Sequence, residues 1–370
     1  MENKITLSVI KADVGSMAGN HITHPALLDV AESVLEEAKD ELIFDFHVTH
    51  VGDDLILILT HNKGESNYNI HELAFKVFQK CTKVAKELNL YGAGVDIITN
   101  NFDGDISKNG AGVAELSFLE RTPETLVVFG ADKTEAGAFN LPLFKIFADP
   151  FNTPGLYADL NLINGFKFEI WDLENHKRTF MNTPEDYYKI LALIGHSSRF
   201  IVKRIFPKPG SIIPEDEAVA VSSSERLNEI AGKYVGKDDP VMVVRAQKGL
   251  PSLGEILEPF TLPYLVKGWL RGLHWGPLMP VSVKEAHPTR FDGPARVIAL
   301  GFQIKNGKLV GPADLFDDPA FDETRRLANK IASYIRSHGP FTPHRVEDYR
   351  DTTLPKVIEK LIEKFEPLNK

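Results

Sequence analysis

The chain has 370 residues with 42 Lys+Arg against 51 Asp+Glu, a formal charge of −9, and 25% charged and 43% hydrophobic residues, a globular balance that excludes wholesale disorder. No apolar run reaches the roughly 18–20 residues of a membrane helix, and net acidity with no Lys/Arg-rich block argues against nucleic acid. The one cysteine, Cys81, excludes an intramolecular disulfide framework and a multi-Cys zinc site, and with no signal-peptide profile at Met1-Glu2-Asn3-Lys4 a soluble, cytoplasmic protein is expected.

Ile5, Leu7 and Val9 alternate with Thr6 and Ser8, the period of a half-buried strand. Pro25 suits a first helical position, and Leu27, Leu28, Ala31, Val34, Leu35 and Ala38 then form an apolar stripe. Phe44, Phe46 and Val48 alternate with polar residues, the run 55–59 follows, and Gly52-Asp53-Asp54 joins them as strand–turn–strand. Asn69, with Glu72 three residues on, reads as a capped helix start. Leu73, Val77, Cys81, Val84 and Leu88 continue that helix face, which makes Cys81 a packed core thiol. Further strand-like runs fall at 95–99, 113–119, 126–129, 166–170, 200–205, 241–244 and 297–304, and Asn306-Gly307 marks a tight hairpin. Helices are expected near 185–194, 224–232, 320–337 (stopped by Gly339-Pro340) and 354–365, whereas 134–165, rich in Pro, Gly and Asn, reads as an ordered loop. Strands outnumber helices and come in adjacent pairs, so the expectation is α/β layering with mixed or antiparallel sheets in one unit.

Aspartates recur at strand ends: Asp13, Asp53-Asp54, Asp132 before Lys133, and Asp238-Asp239. Carboxylates displayed this way can converge, and an oxygen-only ligand set suits a hard cation such as Mg²⁺. Ordinary turn chemistry accounts for the same spacing. In Tyr234-Val235-Gly236-Lys237-Asp238-Asp239-Pro240, Lys237 is either a solvated surface cation or a nucleophilic amine. The second needs the charge of Asp238 and Asp239 taken up by a divalent ion or turned away by loop movement, with Tyr234 as proton shuttle. His21-Ile22-Thr23-His24 and His47-Val48-Thr49-His50 share the H-x-x-H spacing, but strand geometry in the second sends the rings to opposite faces. Lys133 and Arg271 are candidate phosphate clamps.

The segments Val9-Ile10-Lys11-Ala12-Asp13, Thr49-His50-Val51-Gly52-Asp53-Asp54, Ala131-Asp132-Lys133-Thr134-Glu135 and Phe147-Ala148-Asp149-Pro150-Phe151-Asn152-Thr153-Pro154-Gly155 form one set with the segment Ala231-Gly232-Lys233 that runs on through Tyr234 to Pro240. With Thr289-Arg290-Phe291-Asp292-Gly293-Pro294 and Asp314-Leu315-Phe316-Asp317-Asp318-Pro319, they resemble the bifunctional fructose-1,6-bisphosphate aldolase/phosphatase family over nearly the whole length. The resemblance implies a single-domain four-layer α-β-β-α sandwich over residues 1–370, assembled as a homo-octamer. It implies that Lys237 forms a Schiff base with dihydroxyacetone phosphate and that Tyr234 moves the proton that gives the enamine. The enamine then adds to glyceraldehyde 3-phosphate, and the fructose 1,6-bisphosphate formed loses its 1-phosphate to water with the help of several Mg²⁺ ions. Asp13 matches the phosphatase base and a metal ligand, and Asp53, Asp54, Asp132, Asp238 and Asp239 match the other metal ligands. Asn20, Tyr91, Gly104, Asp105, Lys133, Gln247, Arg271, Asp292 and Asp351 fall at substrate-contact positions.

The chain departs from the family at four of its site positions. Asn20 replaces a His and brings no charge, Val95 replaces a metal-binding Gln, Asp105 replaces an Asn, and Asp351 stands where a Tyr is expected, with Tyr349 nearby. Two alternatives follow from these changes: a Mg²⁺-dependent sugar phosphatase without aldolase action, or a sugar-phosphate-binding relative with little turnover.

Overall fold

The structure is a computed structural model that describes residues 4–95, 97, 111–223, 239–269, 274–288, 293–338, 350 and 352–367. In chain order the first elements are β1 (Ile5–Asp13), the short ladder β2 (Ser16–Met17) and β3 (Ile22–Thr23), α1 (Pro25–Ala38), β4 (Asp45–Val51), β5 (Asp54–His61) and α2 (Tyr68–Glu87). Next come β6 (Gly112–Phe118), β7 (Glu124–Asp132), α3 (Asn140–Ala148), α4 (Gly155–Ala158), β8 (Phe166–Asp172), β9 (Lys177–Asn182) and α5 (Tyr187–Ile194). β10 (Phe200–Pro207), β11 (Ala220–Ser222), β12 (Val241–Ala246), α6 (Leu253–Leu257), β13 (Leu265–Gly268) and β14 (His274–Pro280) follow. The chain closes with β15 (Ala295–Lys305), β16 (Lys308–Asp314), α7 (Asp322–Ser337), α8 (Leu354–Leu361) and β17 (Glu366–Pro367).

One sheet has the order β4-β5-β1-β6. The other runs β13-β14-β15-β7-β12-β11-β10-β8-β9-β17 with β16 beside β15, antiparallel except for the parallel pair β14/β15. Side-chain alternation stacks these sheets into layers. Leu7 and Val9 of β1, Ile56 and Ile58 of β5, and Leu116 of β6 point between the sheets, where they meet Leu126 and Val128 of β7, Val241 and Val243 of β12, and Ile298 and Leu300 of β15. The opposite faces bury Ile10, Leu57 and Val113 under α1 and α2, and Phe129, Val244 and Ala299 under α3 and α5. The result is the α-β-β-α sandwich with mixed sheets that was expected.

Asn306-Gly307 is a two-residue hairpin turn with both φ positive (54° and 75°), as its sequence demands. Cys81 is fully buried, its thiol directed at Leu27 O, and burial pushes its pKa to about 12, so it is inert packing. Three expectations need correction. The α2 cap is Asn67, not Asn69, because the Asn67 side chain accepts from Asn69 N at 3.1 Å. The expected loop at 134–165 contains α3: Asn140 donates to Ile194 O and Phe200 O and accepts from Val202 N, which anchors the helix to β10, while Phe144 and Phe147 enter the core. The strand expected over 95–99 is not formed at Val95 and Ile97, which lie in turns closed by Val95 N donating to Gly92 O and Ile97 N to Gly94 O; the rest of 95–99, the helix at 224–232 and Gly339-Pro340 lie outside the described residues.

Candidate active site

The parity that sends apolar side chains between the sheets also sends polar ones there at one end of the strands. On β1 the positions after Leu7 and Val9 are Lys11 and Asp13, and on β5 the position before Ile56 is Asp54. On β7 the series Leu126, Val128 and Gly130 ends at Asp132, and Asp239 precedes Val241 on β12. Register makes these ends coincide: Asp13 lies opposite Asp54, Val241 opposite Gly130, and Arg296 of β15 opposite Asp132. Aspartates from four separate stretches of chain therefore cap the inter-sheet core.

Asp53, Asp54 and Asp132 each offer a carboxylate oxygen within 4.8 Å of the others, and all three are buried. Two buried lysines are threaded among them. Lys133 Nζ lies 2.6 Å from Asp53 Oδ1 and 3.1 Å from Asp132 Oδ1, and Lys11 Nζ lies 2.6 Å from Asp54 Oδ2. Asp239 Oδ1 accepts from Thr134 N at 2.7 Å, and Asp13 Oδ1 from Gly15 N at 3.1 Å. Lys133 and Asp239 both hold left-handed backbone, φ 63° and 42°, a strain that clusters at functional sites. Gly52, at φ 57°, closes the β4–β5 turn against Asp132, where a Cβ would overlap the carboxylate.

Burial raises the pKa of Asp54 and, well above its ordinary range, that of Asp132; neighbouring aspartates add to both shifts. Asp239 is pushed up to about 7, chiefly by burial. Burial works against the charge on Lys11 and Lys133, but the surrounding carboxylates outweigh it and both amines are raised. Five buried carboxyl groups, those of Asp13, Asp53, Asp54, Asp132 and Asp239, outnumber the two ammonium groups in a low-dielectric gap. Asp132 Oδ2 is buried with no hydrogen-bond partner among the described residues. An all-oxygen donor set with a buried acceptor that the described residues leave unmet fits a hard divalent cation.

Asn20 rides on the turn between β2 and β3, which is tied to the Gly52 turn by Thr23 N donating to Gly52 O at 3.0 Å. Tyr91 is exposed and bridges to Ser16, and the following Gly92 packs near the Asp13 carboxylate. Gln247 is not brought to this cluster. It follows β12 at the end opposite Asp239, and at about 3.3 Å per residue the two stand roughly 25 Å apart. Tyr234, Lys237, Asp238, Gly104, Asp105, Arg271, Asp292 and Asp351 lie outside the described residues. Lys11 and Arg296 were missed as site residues. The available signal was a charged side chain falling on the inward parity of an apolar strand.

A family profile described as Fructose-1,6-bisphosphatase matches residues 4–366. Proteins named fructose-1,6-bisphosphate aldolase/phosphatase are similar throughout. That of Ignicoccus hospitalis is 59% identical, covering 100% of this chain and 94% of its own. That of Thermococcus kodakarensis is 57% identical over 99% of both, and that of Moorella thermoacetica 53% identical over 99% of this chain and 95% of its own.

Proposed function

The chain belongs to the fructose-1,6-bisphosphate aldolase/phosphatase family, and from that premise we propose that it is a bifunctional gluconeogenic enzyme. It condenses dihydroxyacetone phosphate with glyceraldehyde 3-phosphate to fructose 1,6-bisphosphate, then hydrolyses the product to fructose 6-phosphate and phosphate. The observation that carries the hydrolytic half is the convergence of buried carboxylates from both sheets around an Asp132 oxygen that no described residue satisfies.

In the aldol half, the Lys237 amine attacks the ketone carbonyl, water leaves, and the iminium forms. Tyr234 removes the proton from the adjacent carbon to give the enamine, which attacks the aldehyde, and water then releases the product from Lys237. In the hydrolytic half, Asp13 orients the attacking water and takes its proton, while Lys133, Arg271 and Asp292 hold the sugar phosphate. Asp13, Asp53, Asp54, Asp132, Asp238 and Asp239 would hold Mg²⁺. Bound there, Mg²⁺ supplies positive charge for the transferring phosphoryl oxygens and the leaving group. Without that charge, an acidic site would repel a bisphosphate.

We read residues 1–370 as one domain, since the inter-sheet core takes strands from β1 through β15 and the family profile spans them together. A cytoplasmic location suits such an enzyme, and among the described residues no helix is long and apolar enough to cross a membrane. The distance to Gln247 favours assembly: as a substrate contact it would serve another copy's site, consistent with a homo-octamer. Asn20, Val95, Asp105 and Asp351 leave Tyr234 and Lys237 untouched, and so favour retention of the aldol half.

The test measures both activities on one sample. Borohydride with dihydroxyacetone phosphate is expected to label Lys237, and Mg²⁺-dependent phosphate release from fructose 1,6-bisphosphate to stop in chelator. No label beside a working control would remove the aldolase, and release unaffected by chelator would remove the metal.

A further inference from the structure

Lys11 has no part in the chemistry above, yet it is buried to 3% exposure with its ammonium 2.6 Å from Asp54 Oδ2. It enters from β1, between the sheets, and also feels Asp239 and Asp132 from the opposite sheet. Lys133 divides itself between Asp53 and Asp132, so the two lysines cover different carboxylates. An ammonium on one of three converging carboxylates occupies charge that a divalent ion would use. Asp132 and Asp239 nevertheless act on both ammonium groups, so the two share the field of the same carboxylates. A lysine is suited to that position because its charge is a point on a flexible stem, able to swing aside without breaking a planar fork.

We infer that Lys11 is a resident counter-cation of the acidic cluster: it holds Asp54 in place when no divalent ion is bound, and competes with the ion for Asp54, so weakening and limiting ion uptake. This rests on reading the cluster as a metal site. Lys11 is a positioning residue, acting through Asp54.

The sign of the effect separates this role from simple structural support, because loss of a structural lysine would loosen the site and weaken binding. The experiment is isothermal titration of Mg²⁺, and separately Mn²⁺, into chelator-stripped full-length protein, wild type beside Lys11→Met and Lys11→Arg. Lys11→Met is expected to bind about tenfold more tightly, or to take up one further ion, with no tightening in Lys11→Arg. Should Lys11→Met not fold, Lys11→Gln carries the same comparison. A folded, uncharged variant that binds at wild-type strength or more weakly overturns the inference. Wild type that takes up neither ion, and is indistinguishable from Asp54→Asn, overturns the metal reading itself.

Discussion

Gly52 shows how much of the site depends on one missing side chain. Its left-handed φ of 57° disfavours any other residue, and its Cα faces Asp132 closely enough that a methyl group would displace the carboxylate. Gly52→Ala is therefore expected to cost about 1–3 kcal/mol of stability from backbone strain. It should also lower Mg²⁺-dependent phosphate release by more than about tenfold, because Asp132 moves off the other two carboxylates. Denaturant titration and the phosphate assay measure the two effects, and an unchanged turnover would show that Asp132 is not needed where it stands. Asp239 supports a different prediction. Its carboxyl takes up a proton near pH 7 in the metal-free fold but near 3.8 when unfolded, so between these values the folded state binds more protons. Stability in chelator then rises as pH falls through 7 and is lost as pH rises. Thermal midpoints from about pH 5 to about pH 8 should fall more steeply for wild type than for Asp239→Asn. Equal slopes would refute the assignment.

The elements differ in how openly their sequences announce them. β1 was legible because Thr6 and Ser8, though buried, are polar residues satisfied by Ser117, Glu115 and His61, which preserves the alternation. β14 was not, since His274-Trp275-Gly276-Pro277-Leu278-Met279-Pro280 carries a glycine and two prolines that argue against a strand; parallel pairing to β15 and cover from α7 hold it extended. Likewise α3 depends on Asn140 bonding to β10, a tertiary contact that local composition cannot report. Hidden dependence of this kind also governs β7 and β12 at the end away from the acidic cluster. There Arg245, fully buried, grips both oxygens of Glu124 at 3.0 Å and reaches Glu217 at 3.1 Å. Arg245→Met would leave two carboxylates buried with less compensation, and is expected to cost about 3–5 kcal/mol. The exposed pair Lys284–Asp317 is the control, and Lys284→Met should leave the urea midpoint in place. A small shift for Arg245→Met would mean that the network relaxes into water.

Across the whole molecule, aspartates at strand ends could be read from the sequence, but their meeting could not, because it needs the ends of two sheets to coincide. Lys11 and Arg296 are hidden in the sequence for a related reason: a charged residue in a strand normally faces solvent, and only the stacking of the second sheet turns these positions inward. Gln247 shows the limit of a single chain. It stands roughly 25 Å from Asp239 along a straight strand, farther than a hexose bisphosphate extends, so one chain's cluster and its own Gln247 cannot grip the same substrate. If Gln247 contacts substrate, it does so in a neighbouring copy, and symmetry then gives every cluster a Gln247 from elsewhere. Subunit mixing tests this directly. Asp53→Ala and Gln247→Ala chains, each expected to be weak alone, would be co-expressed with different tags and purified through both. In a random mixture, a site with an intact cluster from one variant and Gln247 from the other forms with a probability of about a quarter. Phosphate release near a quarter of wild type, well above either parent, is the expected result. Mixed assemblies no more active than the parents would mean that Gln247 serves no neighbouring site.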